Sequence, residues 1–451
     1  MAEDKTLSEG VADPVRNPAS RVFVASLVGT TIEYYDFYIY ATAAVLVFPH
    51  LFFPAGDETA SLLASLAVFG AGMVARPAGA IWFGHLGDRK GRRLALTGSL
   101  VLMGAATCLI GLLPVHDVMG WWAPLLLVIL RMAQGFAIGG EWSGAVVVAT
   151  ENAPAGQRGT FGTFPQLGAP FGFILANGVF LALGTWLPSD DPSRPSDAFL
   201  QWGWRLPFLL AGLLAMIGIW VRLTLVESEA FRRSEASGRI RPLPLGSLFR
   251  ECGPAVVLGT LYTLATTVLF FSMSTFSLSY GRAAPDAPLP GLGYDYTSFL
   301  ALLILGVMFF AAATAVSGPL SDRFGRRPLM LCVTTAIAVF GLIWVPLLSS
   351  GFWGLLIWLI TGFVLMGLTF GPIGVLLSEL FPSHLRYTGT GMAYNLASML
   401  GASTAPFVMI ALWRAGAGSP VWAGLYLSGV ALVTLAALLV GQETRHVDIL
   451  G

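Results

Sequence analysis

Glu33, Asp36, Arg76, Arg131 and Glu141 all stand inside long apolar runs. An ionisable side chain in such a setting costs about 2.5–3.5 kcal/mol on membrane-insertion scales, so it is functional by default. Glu33 and Asp36 are three positions apart and share one helix face. Arg131, Gln134 and Glu141 fall within about one quadrant of a helical wheel, because each residue turns the helix by about 100°. Burial disfavours the charged form of a carboxyl group, and a guanidinium nearby favours it again. An acid and a base at similar depth therefore form a switchable proton site. Asp36 with Arg131 is the expected pair, with Glu33 and Glu141 as further proton candidates. The alternative is a static ion pair that only fixes helix packing.

Arg76 is then left to grip a carboxylate by bidentate hydrogen bonds. Otherwise it pairs with Glu33 or Glu141, or caps a helix broken before Pro77. Glu141 is either a second proton site or a partner of Arg131. Candidate binding residues in the first half are Tyr35, Gln134, Trp142 and Gln166. The second half carries no charge at midplane depth and offers Tyr262, Thr266, Ser274, Tyr394, Asn395 and Ser398 instead. The two halves thus divide the work: charge and proton handling on one side, hydroxyl and amide readout on the other. Most such polar groups otherwise bond neighbouring helices.

These side chains need helices that cross lipid. Of 451 residues 55% are apolar and only 11% charged, against roughly 25% charged in a soluble domain. Net charge is zero, which gives no footprint for nucleic acid. Apolar runs long enough to span, about 20 residues each, fall at 22–48, 60–83, 94–113, 122–150, 162–187, 205–225, 255–280, 297–320, 329–348, 353–380, 388–413 and 421–440. The expected fold is an all-α membrane protein of twelve transmembrane helices in two six-helix bundles. Its expected parts are a cytoplasmic tail (1–20), a first bundle (21–226), a cytoplasmic linker (227–251), a second bundle (252–441) and a C-terminal tail (442–451). Residues 1–20 lack an apolar core and cleavage site, so no cleaved signal peptide is expected. With the N-terminus inside, 19 of the 25 Lys and Arg fall on the cytoplasmic side, as the positive-inside rule requires. Both termini are then cytoplasmic.

Two motifs repeat across the halves. Gly84-His-Leu-Gly-Asp88-Arg89-Lys-Gly91-Arg92-Arg93 returns as Gly318-Pro-Leu-Ser-Asp322-Arg323-Phe-Gly325-Arg326-Arg327. Glu151, Pro154 and Arg158 return at the same offsets as Glu379, Pro382 and Arg386. Such repeats imply homologous halves with a site between them, which fits alternating access. Asp88 and Asp322 can accept hydrogen bonds at the N-terminus of a facing helix. Arg92 and Arg93 are expected to pair with Glu151, and Arg326 and Arg327 with Glu379, as a cytoplasmic gate that opens when the pairs break. The plainer reading is that these basic groups only anchor topology.

The Gly-x-Leu-x-Asp-Arg-x-Gly-Arg-Arg loops resemble the signature of the major facilitator superfamily. Glu33-Tyr34-Tyr35-Asp36-Phe37-Tyr38, Ala75-Arg76-Pro77-x-Gly79 and the stretch from Arg131 to Trp142 resemble its metabolite:proton symporter branch. That branch takes up shikimate, 2-oxoglutarate, citrate, or proline and betaine. The resemblance implies proton-coupled uptake of a small organic metabolite, with a carboxylate favoured. It also implies a bacterial inner-membrane setting, in which the protein meets lipid, works as a monomer and uses the proton gradient in place of a cofactor. In related sugar:proton symporters an Asp in span one and an Arg in span four carry coupling, and Asp36 and Arg131 match them. Other readings are a proton-independent facilitator, an exporter, a symporter of zwitterionic osmolytes, or a transporter-like ligand receptor. No metal cluster, phosphate loop or nucleophile elbow stands in the sequence, so an enzyme is not expected.

Overall fold

A chain in lipid must satisfy its backbone hydrogen bonds within itself, and helices do so segment by segment. In the computed structural model, the described residues are 19–54, 57–90, 92–151, 153–154, 156–189, 195–224, 245–382, 385–445 and 447, and among them the only regular structure is helical. Nine helical segments are long and apolar enough to cross a membrane among the described residues. The other three expected spans are also helical, over Ala19–Leu46, Arg92–Leu112, and Arg326–Leu342 followed by Trp344–Leu348. The N-terminal tail to residue 18 and linker residues 227–244 lie outside the described residues, as do 446 and 448–451 of the C-terminal tail. Helix already begins at Leu245, inside the expected linker.

The halves use the same pairings. Span one packs on five, two on four and three on six; span seven packs on eleven, eight on ten and nine on twelve. Between the halves, span two meets eleven and span five meets eight. The repeat read from the loops is therefore also a repeat of helix packing.

Glycine sets the closest approach. A Cβ on Gly135 would stand 1.8 Å from the Gly72 carbonyl oxygen, and one on Gly139 would stand 2.0 Å from the Arg76 carbonyl oxygen. Only a hydrogen at these sites lets spans two and four cross at backbone contact. That crossing fixes Arg76 and Arg131 on adjoining helices.

Several spans are broken near the centre. Span four divides into Trp122–Ile138 and Glu141–Glu151 at the Gly139-Gly140 pair. Spans seven and eleven each contain a π-helical turn, at Ser272–Phe276 and Ser398–Ala402. Such turns often accompany functional sites. Span seven also bends at Cys252 (φ −125°), two residues before Pro254, a usual cause of kinks. Of the tryptophans placed at the interface by sequence, Trp121, Trp122 and Trp202 are exposed, while Trp204 is fully buried among Phe48, Phe52 and Phe208.

Candidate functional site

Asp36 is buried in span one, and its two carboxylate oxygens have separate donors. The Thr107 hydroxyl, from span three, donates to one. The Gln134 amide, from span four, donates to the other and also to Thr107 (2.8 Å). Arg131 donates to the Gln134 carbonyl oxygen. Asp36 and Arg131 therefore communicate through Gln134 rather than by a direct ion pair. Gln134, expected at the substrate, is spent on this bridge.

The Arg131 guanidinium lies in an aromatic cage, 4.1 Å from the centre of the Tyr40 ring, 4.8 Å from Phe69 and 5.7 Å from Phe37. Its Nε and Nη2 have no hydrogen-bond partner among the described residues. Ring faces attract a desolvated cation, which holds the charge in place without fixing it to one acceptor. Glu141 opens the helix ten residues beyond Arg131. That is about 15 Å along the axis, so it does not reach the Arg131 side chain. It sits instead beside Gly139 and Gly140, whose carbonyls accept from Asn395 (2.8 Å) and Tyr387 (2.6 Å) of the second half.

Arg76 stands with its guanidinium 3.8 Å from the Glu33 carboxylate and 5.9 Å from the Phe37 ring centre. It lines a cavity between the halves together with Tyr34, Phe37 and Met73 from the first half, and Thr263, Thr266, Phe270, Phe271, Phe370, Tyr394 and Ser398 from the second. Phe37 is the shared wall, touching the cavity on one side and the Arg131 cage on the other. The Thr266 hydroxyl is buried without a hydrogen-bond partner among the described residues. The cavity is thus mostly aromatic, with one cation and a few hydroxyls.

Other expected binding residues have different duties. Tyr35 turns away from the cavity and donates to the Pro207 carbonyl (2.9 Å); its neighbour Tyr34 faces inward and meets Tyr394 across the halves, hydroxyl to hydroxyl at 3.3 Å. Gln166 donates to the Phe370 carbonyl and accepts from Trp142, both at 3.0 Å. Asn395 is spent on Gly139. Tyr262 is packed against Gly441, away from the cavity lining. Sequence reading missed Tyr34 and the four phenylalanines; the signal was present, since Tyr34, Phe37 and Tyr38 recur at helical spacing. Thr107 is one hydroxyl in an apolar run and carries no such signal.

At the end of the bundle that carries the repeated loops Asp322 accepts from the Gly159 and Thr160 backbone N–H groups (both 2.8 Å), at the start of the helix Arg158–Gln166 in the other half. Arg326 bridges Asp322 (3.0 Å) and Glu379 (3.3 Å), and Arg158 reaches Glu379 at 3.7 Å. Glu151 pairs with Arg386 (3.0 Å), and one pairing differs from expectation. Arg327 donates to the Leu438 and Leu439 carbonyls rather than to Glu379, because its side chain runs toward the end of span twelve. The side chains of Asp88, Arg92 and Arg93 lie outside the described residues. At the opposite end Arg414 pairs with Asp57 (2.9 Å), and Tyr296 donates to the Phe180 carbonyl (3.0 Å). The halves touch at both ends, with the cavity between.

Comparisons with known proteins agree with this architecture. The xylose:proton symporter XylE, solved with 6-bromo-6-deoxy-D-glucose, superposes with a TM-score of 0.73 over 96% of this chain and 97% of its own, at 18% identity. The inner membrane metabolite transport protein YhjE of Escherichia coli (strain K12) is 49% identical over 95% of this chain and 96% of its own. The shikimate transporter of that strain is 32% identical over 95% of both chains, and its proline/betaine transporter is 32% identical over 94% of this chain and 84% of its own. A family model spans residues 26–406, and with it the chain belongs to the Major Facilitator Superfamily.

Proposed function

We propose that this protein takes up a small carboxylate-bearing metabolite together with a proton, by alternating access across the bacterial inner membrane, with both termini cytoplasmic. The observation that carries the reading is the joint position of two sites on either side of Phe37. On one side the buried Asp36–Gln134–Arg131 network can hold or release a proton. On the other, Arg76 faces a cavity shaped for a small, largely apolar body. A ligand that engages Arg76 presses on the ring that walls the Arg131 cage, which couples the two events by contact. Relatives of this chain are named for shikimate and for proline and betaine, so these are the substrates to try first.

A zwitterionic substrate is the second reading. Glu33 stands 3.8 Å from Arg76, and aromatic rings line the cavity; opposite charges side by side, with ring faces for a cationic head, suit such a ligand. A thermal-shift screen of the purified protein with shikimate, other monocarboxylates, proline and glycine betaine separates the readings, because a bound ligand stabilises according to its concentration over its Kd. Uptake of the hit into proteoliposomes then tests transport.

A further inference from the structure

The donors and acceptors around Asp36 can be counted one by one. Gln134 Nε2 carries two hydrogens, and it has two acceptors, Asp36 Oδ2 and Thr107 Oγ1. Thr107 Oγ1 carries one hydrogen, and it too has two acceptors within reach, Asp36 Oδ1 and the Met103 carbonyl at 2.9 Å. A hydroxyl also has two lone pairs, one of which is taken by Gln134.

We propose that Thr107 is a positioning residue for the proton site, its single hydroxyl hydrogen turning to Asp36 when the carboxyl is charged and to Met103 when the carboxyl is protonated. This inference rests on the reading of Asp36 as the proton site. In the charged state Thr107 donates to Asp36 Oδ1, and the Met103 carbonyl keeps its own helix hydrogen bond from the Thr107 backbone N–H. In the protonated state the Asp36 O–H donates into the free lone pair of Thr107, whose hydrogen swings to Met103. The Asp36, Thr107 and Gln134 side-chain donors each have an acceptor in both states, and no heavy atom has to move. The usual penalty for an unsatisfied buried group is avoided on both sides of the proton step. A hydroxyl is the smallest group able to do this, since it donates and accepts at one rotatable atom.

The other ionisable groups around Asp36 do not offer this. Tyr35 on its own helix is spent on Pro207. Cys108 on span three has a thiol, a weak donor, set against Gly212. Arg131 on span four acts through Gln134. Arg76 on span two and Glu33 on span one lie beside each other. On span six, Arg205 donates to the Gly111 and Leu113 carbonyls.

The test uses infrared difference spectra of the purified, ligand-free protein in lipid, recorded across pH. The protonated-carboxyl C=O band present in the wild type and lost in Asp36→Asn belongs to Asp36. In Thr107→Val, which removes the hydroxyl but little volume, the titration midpoint of that band moves to higher pH by about half a unit to one unit, because the hydrogen bond lost by the charged carboxylate is roughly twice as strong as the one lost by the neutral carboxyl. The band also moves to higher frequency, because the carboxyl O–H has lost its acceptor. Thr107→Ser restores both. A merely structural role would lower thermal stability and leave the band in place. Should Thr107→Val fail to fold, Thr107→Cys carries the same test, with a smaller shift in the same direction. An unshifted midpoint and frequency in these variants overturns the role of Thr107 alone. A spectrum in which Asp36→Asn removes no titrating band overturns the proton-site reading, and this inference with it.

Discussion

The Trp142 indole lies flat against the Tyr394 ring, with centroids 3.7 Å apart and planes 14° from parallel. Trp142 comes from span four and Tyr394 from span eleven, so the stack joins the two halves. Tyr394 also meets Tyr34 and lines the cavity. Trp142 is anchored in turn by Gln166, which bonds the Phe370 backbone. A ligand touching Tyr394 therefore touches a contact that joins the two halves.

Tyr394→Ala removes this stack, worth about 0.5–1.5 kcal/mol beyond the area it buries. The population of inward-open protein rises several-fold in consequence. Spin labels at Ala153 and Arg323, at the repeated-loop ends of the two halves, report it as a larger share of long distances. An unchanged distance distribution would show that the stack does not hold the inner face shut.

The crossing of spans two and four gives a stability test. Gly135→Ala drives a methyl group into the Gly72 carbonyl, a backbone atom that cannot turn aside, and costs about 1–3 kcal/mol or more. The melting temperature in detergent falls accordingly. Gly178→Ala, at a glycine with nothing within 4 Å, is the control and leaves it within error. Equal effects at both sites would remove the close crossing from the account.

Arg76→Ala deletes the cation of the cavity. For a carboxylate ligand the loss of a charged hydrogen-bonded partner is about 1.5–3 kcal/mol, roughly ten- to a hundredfold in Kd. Calorimetry with whichever of shikimate, proline or glycine betaine binds the wild type measures it. Unchanged affinity would return Arg76 to a purely structural pairing with Glu33.

Much of this was legible in sequence because lipid is a demanding solvent. Twelve apolar runs and a basic side can be counted directly, and the two repeated loops announce two halves that the helix pairings then display. Isolated charges such as Asp36, Arg76 and Arg131 are conspicuous for the same reason. Direction around a helix was harder. Tyr34 and Tyr35 are adjacent and chemically alike, and only the packing of span one against five and six decides which faces the cavity. Gln134 shares its wheel quadrant with Arg131 for the reason supposed, yet it faces Asp36 instead of a ligand. Arg327 and Arg326 are likewise neighbours, and only one points to Glu379. Thr107 was invisible, since a threonine in a membrane helix usually satisfies itself on its own backbone, and its second acceptor appears only when span one is brought beside span three.

Asp36 is proposed to carry the transported proton. This role is tested most directly by following labelled substrate and internal pH together in proteoliposomes, with the ligand found by the screen. Asp36→Asn fixes this position in a form that cannot ionise. The expected result is that accumulation driven by a pH gradient and the accompanying internal acidification are both lost, while exchange between equal pools continues, since exchange need not release the proton. Gradient-driven accumulation by Asp36→Asn at the wild-type level would contradict it and pass the role to Glu33 or Glu141.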